Sequence, residues 1–380
     1  MKVAYVTPYY NGVCDGRFGR FHDWIHTSRN ADDPPFDFDV YAFTTSNADE
    51  TITTDAHRFI GEATDLWGTK WNKPEFLLNA PRIWSALQNG EYDLIHVLVM
   101  DTIVMPTVLA TNPDVPLVVG PDVAGWSPIR KGSFAEESSI ERAKNRFKFG
   151  LKNLLGRTVP YDRAIAFSEH HRNILSTFSI PTSRTSVIHG GVSKRFSPAA
   201  KPSKSNDPPE ILWVGDFSEH KGYPIFLEAI AGIDEAFVAR LVGAGDPNRP
   251  RIQELGLADN VIVEEFIPRG ELPAYYQHAD LHVVASVDET AGPNTQIESL
   301  ASGTPVVLSD APSVNEYAPD EAAVYFWPRE PDELRSSLED ALADLESLTD
   351  AAMTAATEYH ADRTLEDLYE IYREVLVENR

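Results

Sequence analysis

The chain contains little cysteine, few positive charges and no long apolar run. Cys14 is the single cysteine among 380 residues, which excludes an internal disulfide framework and favours a reducing compartment. No run of about 20 uncharged apolar residues occurs, so no transmembrane helix is expected. The first residues, MKVAYV, are typical of a first strand and differ from a signal peptide. These absences predict a cytoplasmic protein.

Basic residues are strongly outnumbered. The sequence has 33 Lys and Arg against 58 Asp and Glu, which gives a net charge of −25. This balance argues against a nucleic-acid partner, because such proteins need basic surfaces. The uniform acidity favours a halophilic protein, since the Debye length falls to about 3 Å in molar salt and screens the self-repulsion. An acidic protein from an ordinary environment is the alternative.

Strand and helix patterns alternate along the whole chain, which predicts parallel, doubly wound sheets. A connector rich in proline and serine, residues 197–209, divides this alternation into two halves. The length also suits two domains of ordinary size. We therefore predict one α/β domain over residues 1–197 and a second over residues 207–359.

The stretch from Ala285 to Asp310 predicts a strand–loop–helix–strand unit. An apolar run ends in an acidic loop, and a short helical pattern from Thr295 to Ser302 stops at Gly303. Open α/β sheets bind ligands in such loops, and the N–H groups that begin the helix can hold a phosphate. The alternative is an acidic loop that merely caps an ordinary helix.

A locally basic segment, residues 130–163, contrasts with the acidic remainder. It holds nine basic and four acidic residues, interleaved with apolar side chains such as Phe147, Phe149 and Leu154. A basic amphipathic helix of this kind is able to lie on an anionic membrane. A solvated helix with a buried apolar stripe is the alternative. Elsewhere the histidines are scattered, and no ligand spacing indicates a metal site.

The order of motifs resembles the retaining GT-B glycosyltransferases of family 4, also called glycosyl transferases group 1. In the second half the motifs are VGDFSEHKGYPIFLEA, LVGAG, NVIVEEFIPRGELPAYYQHADLHVVAS and PNTQIESLASGTPVV. In the first half they are a glycine-rich first loop, YDLIHV, DRAIAFSEHHRNIL and VIHGGVSKRFSP. The resemblance implies two Rossmann-like domains that face a central cleft, with a C-terminal helix at 360–380 packing back on the first domain.

The resemblance also implies donor-site residues in the second domain. Lys221 matches the family lysine that neutralises the diphosphate leaving group, and Glu298 matches a glutamate that holds the ribose hydroxyls. Ile267 falls where the nucleobase packs. The remaining implied donor residues are Gly215, Gly292, Asn294, Thr295 and either Glu289 or Thr290. Two departures stand out: Asp216 replaces a family arginine beside the diphosphate, and Thr290 stands where a second family glutamate is expected.

In the first domain, the resemblance makes Asp122 a candidate polar group beside the anomeric carbon, with a turn or helix-cap aspartate as the alternative. The acceptor is expected around Asn11, Gly12, Arg17 and His22. The implied reaction is retaining transfer of a hexose-type sugar from a nucleotide-diphosphate sugar, without metal or other cofactor, to a glycan or lipid-linked acceptor. The basic segment suggests an enzyme peripheral on the inner face of a membrane. The alternatives are a catalytically degenerate binding subunit and a nucleotide-sugar epimerase.

Overall fold

A computed structural model describes residues 1–7, 34–45, 57–63, 85–99, 114–122, 156–199, 206–287 and 289–379, with a few isolated positions between them. Contacts group the chain into two units. The first comprises Met1–Cys14, Ile25–Ile188 and Thr364–Arg380, and the second comprises Asp15–Trp24 and His189–Arg363.

The first unit contains a seven-stranded sheet in the order β3-β2-β1-β4-β5-β6-β7. Every pairing in it is parallel. The strands are β1 (Lys2–Val6), β2 (Asp37–Thr45), β3 (His57–Ala63), β4 (Leu94–Val99), β5 (Leu117–Asp122), β6 (Arg163–Ala166) and β7 (Thr185–Val187). The described apolar side chains of β1, β4, β5 and β6 are almost fully buried, as in a sheet covered on both faces.

Helix α1 (Glu169–Thr177) covers part of this sheet. Ser168 begins it, because its Oγ accepts a hydrogen bond from the His171 N–H at 2.9 Å. The side chains of Ile174 and Leu175 then pack in the core of the first unit. The capping serine thus fixes where the helix starts and which face it buries.

The second unit contains a six-stranded sheet in the order β10-β9-β8-β11-β12-β13, again wholly parallel. The strands are β8 (Glu210–Val214), β9 (Val238–Val242), β10 (Val261–Glu264), β11 (Leu281–Val284), β12 (Val306–Ser309) and β13 (Ala323–Phe326). Strand order reverses between β8 and β11. In a doubly wound sheet, ligands bind at such a switch point, outside the carboxyl ends of the strands.

Helices surround the second sheet. Their bounds are α2 (Tyr223–Ile230), α3 (Arg249–Glu254), α4 (Leu272–His278), α5 (Asn294–Ala301), α6 (Pro331–Ala343) and α7 (Leu345–Ala355). A last helix, α8 (Ala361–Glu378), follows. Its residues from Thr364 onward group with the first unit. Helix α5 is the most enclosed, because every residue from Gln296 to Ala301 is buried.

The predicted fold class, an α/β chain with two Rossmann-like parallel sheets, is confirmed. Among the described strands and α-helices, β3, α3 and α7 were not predicted from the sequence. One boundary also differs. On the sequence alone, Asp122 is a possible turn or helix-cap residue, whereas β5 continues to Asp122, which pairs with Val99 across a register shift.

Candidate functional site

A cavity of about 260 Å³ opens at the switch point of the second sheet. The cavity is lined by the end of β8 with the loop that follows it, by the end of β11 with the acidic loop that follows it, and by the first turn of α5. The lining residues are Trp213, Val214, Gly215, Asp216, Lys221, Val283, Val284, Ala285, Ser286, Glu289, Gly292, Pro293, Asn294 and Thr295. A ligand in this cavity would meet one lysine, two carboxylates and the start of a helix.

The loop after β8 approaches β11 closely because of a glycine. Gly222 has φ +72°, and a Cβ at this position would lie 1.8 Å from the carbonyl oxygen of Ala285. No other residue type fits there without moving the backbone. The backbone N–H of Val287 also donates to the His220 carbonyl at 3.1 Å. The two loops are therefore held together, and Lys221 is brought to the acidic loop.

Lys221 forms an ion pair with Glu289, and the lysine and glutamate side chains are 28% and 13% exposed. Ser286 Oγ donates a second hydrogen bond to the same carboxylate oxygen at 2.8 Å. Burial alone would raise the pKa of Glu289. The charge and hydrogen bond of Lys221, with smaller contributions from His220 and Ser286, instead hold that pKa below its usual value.

The first turn of α5 faces the same cavity. Pro293 is its N-cap residue and has no side chain that could cap the first N–H groups. Two hydrogen bonds fix the loop before it. Ser313 Oγ donates to the Thr290 carbonyl at 3.0 Å, and Tyr317 Oη donates to the Ala291 carbonyl at 3.1 Å. The N-terminus of this helix therefore directs its partial positive charge toward the cavity, where an anion would be stabilised.

Glu298 lies one turn further along α5 and is 2% exposed. Its Oε1 accepts from Arg269 Nε at 2.8 Å, and its Oε2 accepts from the Tyr276 hydroxyl at 3.1 Å. A terminal nitrogen of Arg269 also donates to Asp23 at 2.7 Å. Burial would lower the pKa of Arg269, but Glu298 and Asp23 raise it overall. Glu298 is absent from the cavity lining and belongs to this buried network.

The buried network was not predicted from the sequence. Arg269 follows a strand in an ordinary-looking PRGE turn, and Asp23 is about 250 residues away in sequence. No local pattern links the two. Ile267 was expected beside the nucleobase. It is half-buried against the cluster that contains Phe196 and Tyr276, and it does not line the cavity.

A second polar network lies in the first unit, next to Asp122. His96 Nε2 is 2.7 Å from the Gly120 carbonyl, and His96 Nδ1 is 2.6 Å from the Tyr372 hydroxyl. A carbonyl only accepts, so Nε2 carries the proton and Nδ1 accepts from Tyr372. The Tyr372 oxygen is in turn 3.1 Å from the Tyr5 hydroxyl, which must donate to it. Helix α8 is thereby linked to the end of β5.

Other predicted residues fall outside the described part of the chain. Asn11, Gly12, Arg17 and His22, the expected acceptor residues, are among them, as is most of the basic segment. The described residues of that segment between positions 146 and 158 are helical, with Phe147 73% and Leu154 56% exposed. Within the described residues, no group of three potential metal ligands occurs, and no helix is both long and apolar enough to cross a bilayer.

Residues 208–344 match the family model described as glycosyl transferases group 1. The match starts just before β8, so it includes every residue that lines the cavity. This part of the chain is therefore similar to the glycosyl transferases group 1 family. The resemblance inferred from the motifs is thereby confirmed.

Curated relatives of the chain support this similarity. The chain is 29% identical over 233 residues to a D-inositol 3-phosphate glycosyltransferase of Thermobispora bispora, covering 54% of each chain. It is 30% identical over 184 residues to the alpha-monoglucosyldiacylglycerol synthase of Streptococcus pneumoniae, covering 43% of this chain and 42% of the relative. The chain thus spans about half the length of the curated relatives it matches.

Solved structures share the whole fold. A sucrose-phosphate synthase from Thermosynechococcus elongatus superimposes with a TM-score of 0.73 at 19% identity, over 99% of both chains. HepE of Anabaena, solved with UDP and glucose, gives a TM-score of 0.70 at 17% identity, over 98% of this chain and 100% of HepE. At these identities the likeness establishes the GT-B fold.

Proposed function

We propose that the chain is a retaining glycosyltransferase that transfers a hexose-type sugar from a nucleotide-diphosphate sugar. The observation that supports this most directly is the cavity at the switch point of the second sheet. Lys221 and the first turn of α5 line it together, within the residues that match the family model. A lysine and a helix N-terminus are the two groups a diphosphate needs most.

In this proposal, Lys221 acts chiefly on the leaving group. Negative charge develops on the diphosphate as the bond to the anomeric carbon breaks, so a fixed cation stabilises that state more than the bound donor. The partial positive charge at the α5 N-terminus also stabilises the negative charge that develops on the diphosphate. Positioning of donor and acceptor supplies the rest of the rate enhancement. HepE of Anabaena has been crystallised in complex with UDP, which favours a nucleotide donor here.

The test is release of nucleoside diphosphate in the presence of acceptor. We expect Lys221→Ala to lower kcat by about 10²- to 10³-fold, the range seen when one preorganised charge-stabilising group is removed. Arg251→Ala, an exposed cation on α3, is the matched control and should leave turnover within about twofold. Nuclear magnetic resonance of the product would show whether the anomeric configuration is retained. Unchanged turnover in Lys221→Ala would contradict the proposal.

We further propose that the acceptor is a glycan or lipid-linked molecule, at an anionic membrane surface on the cytoplasmic side. The exposed Phe147 and Leu154 lie seven positions apart in a helical, locally basic stretch, and hence on one helix face. The similarity to an alpha-monoglucosyldiacylglycerol synthase points the same way. Flotation with vesicles containing anionic lipid tests this, and Phe147→Ser with Leu154→Ser should abolish it.

The excess of acidic residues supports a working environment of high salt, because a net charge of −25 is tolerated best where charges are screened. A second candidate function, a binding subunit without activity, is favoured by Asp216 and Thr290. Both replace residues that the family resemblance implies. Diphosphate release separates the two, since a binding subunit would bind donor without turning it over.

A further inference from the structure

Lys221, the cation of the cavity, is already paired with a carboxylate in this structure. The ion pair with Glu289 lies within the cavity lining, which also includes Asp216. The cavity therefore presents one lysine against two carboxylates. A diphosphate carries several negative charges, so this balance opposes its binding until one carboxylate moves away.

Glu289 is held in place by hydrogen bonds to its side chain and to the neighbouring backbone. Ser286 Oγ holds its carboxylate at 2.8 Å, and Ser286 itself is 2% exposed. The loop backbone on both sides is fixed as well, by the bond from Val287 to His220 and by the bond from Ser313 to Thr290. Access to Lys221 therefore requires rotation of the Glu289 side chain and leaves the backbone of the loop in place.

We propose that Glu289 is a specificity-determining internal anion, which occupies Lys221 in the free protein and is displaced when a diphosphate binds. This inference rests on the proposed function, because it takes the cavity to be the donor site. Every anion that reaches Lys221 must first break the ion pair. A diphosphate offsets the loss of this ion pair, because its several oxygens contact both Lys221 and the α5 N-terminus. A small monoanion has too few oxygens and too little charge to offset that loss, so the ion pair keeps it out of the cavity.

This role differs from that of a sugar-binding glutamate, and the two predict opposite results. A displaced competitor weakens the binding of every diphosphate, with or without a sugar. A glutamate that accepts sugar hydroxyls strengthens the binding of the nucleotide sugar and does not affect inorganic pyrophosphate. Comparing ligands that differ only in the sugar therefore distinguishes them.

The experiment is isothermal titration of pyrophosphate, UDP and UDP-glucose into the full chain and into Glu289→Gln at fixed ionic strength. We expect the variant to bind pyrophosphate and UDP at least tenfold more tightly, which corresponds to about 1.4 kcal/mol. Glu219→Gln is the matched control. Its side chain is exposed on the same loop as Lys221 and outside the cavity lining, so it should change affinity by less than twofold.

A double-mutant cycle gives the sharpest readout. In a Lys221→Ala background, Glu289→Gln should no longer improve pyrophosphate binding, because the pair it relieves is gone. A merely structural effect of Glu289 would persist in that background. Should Glu289→Gln fail to fold, Glu289→Asp withdraws the carboxylate by one carbon and should shift affinity in the same direction by a smaller factor.

The outcomes separate this inference from the proposed function. If the unmodified chain binds UDP and Glu289→Gln binds pyrophosphate no more tightly, the inference is overturned and the donor site stands. Weaker UDP-glucose binding with unchanged pyrophosphate binding would assign Glu289 to the sugar instead. If Glu289→Gln binds diphosphate and the unmodified chain does not, the inference is strongly supported. If neither protein binds any of the three ligands, both proposals fail.

Discussion

At the scale of single residues, the buried carboxylates of Asp23 and Glu298 depend on Arg269. It is 8% exposed and binds two carboxylates, those of Glu298 and Asp23. Replacing Arg269 with Met would leave both acids buried without their counter-ion. Breaking a buried pair in this way costs about 3–5 kcal/mol, so we expect a loss of that size in the free energy of unfolding, measured with urea.

A matched surface variant makes this measurement specific. Arg251 also contacts two carboxylates, those of Glu228 and Glu254, but it is about 41% exposed. Arg251→Met should therefore cost no more than about 1 kcal/mol. Adding Glu298→Gln to Arg269→Met removes one stranded charge and should restore part of the stability. Equal losses for the two arginine variants would refute the importance assigned to the buried network.

The sequence predicted much of this site, but only where a local pattern carries the information. The motifs around Lys221 and Asn294 identified two loops that do line one cavity. The pairing of Lys221 with Glu289 could not be predicted, because it depends on the approach of two loops that Gly222 permits. The link from Arg269 to Asp23 is of the same kind, since it joins distant segments through side chains alone.

At the scale of secondary structure, the apolar strands were the easiest elements to predict. The run of buried residues in β8 and β11 gave their positions directly. Helix α3 was missed because it has six residues, two of them arginine and one proline, and buries Ile252 alone. Helix α7 was missed because only one residue lies between it and the end of α6, so no loop pattern separates the two helices; it buries Leu348 and Ala352.

The last helix, α8, is tied to the first sheet by hydrogen bonds as well as by packing. Tyr372 donates to His96 and accepts from Tyr5, and all three side chains are almost fully buried. Tyr372→Phe would leave the His96 Nδ1 without a donor and the Tyr5 hydroxyl without an acceptor. An unsatisfied buried group costs about 1–3 kcal/mol, so we expect the first unit to lose stability by at least that amount.

Tyr369→Phe is the control for this variant, because it removes a hydroxyl from the same helix at a more exposed position. Its cation–π contact with Arg373 survives, since phenylalanine keeps the ring. We expect a change below about 0.5 kcal/mol. The rate of hydrogen exchange in peptides from β4 and β5 would measure how far each variant destabilises the first unit. Equal exchange in the two variants would mean that the Tyr372 hydroxyl contributes nothing.

At the scale of the whole molecule, each unit buries a histidine in its sheet. Burial lowers the pKa of His96 to about 3, with the Gly120 carbonyl opposing the shift, and burial lowers the pKa of His282 to about 3 as well. Neither nitrogen of His282 has a hydrogen-bond partner among the described residues. Both histidines are therefore neutral in the folded chain throughout the physiological range.

These two histidines make both units sensitive to acid. The unfolded chain binds a proton at each histidine below its ordinary pKa of about 6.5, whereas the folded chain does not until about pH 3. Between these values the unfolded state holds more protons, so stability falls as the pH falls. At pH 5.5 the loss is about 1.4 kcal/mol for each histidine relative to pH 7.5.

Hydrogen exchange at pH 7.5 and 5.5, corrected for the intrinsic exchange rates, would measure this loss separately in peptides from β4 and β11. We expect protection to fall about tenfold in each. His282→Leu should remove the pH dependence from β11 and leave that of β4 unchanged, because leucine fills the site without a titratable group. No hydrogen bond to a described residue would be lost, since neither ring nitrogen of His282 makes one. His278→Leu, at a position 61% exposed, should leave both unchanged. Protection that is constant over this pH range in the unmodified chain would show that the buried histidines do not control its stability.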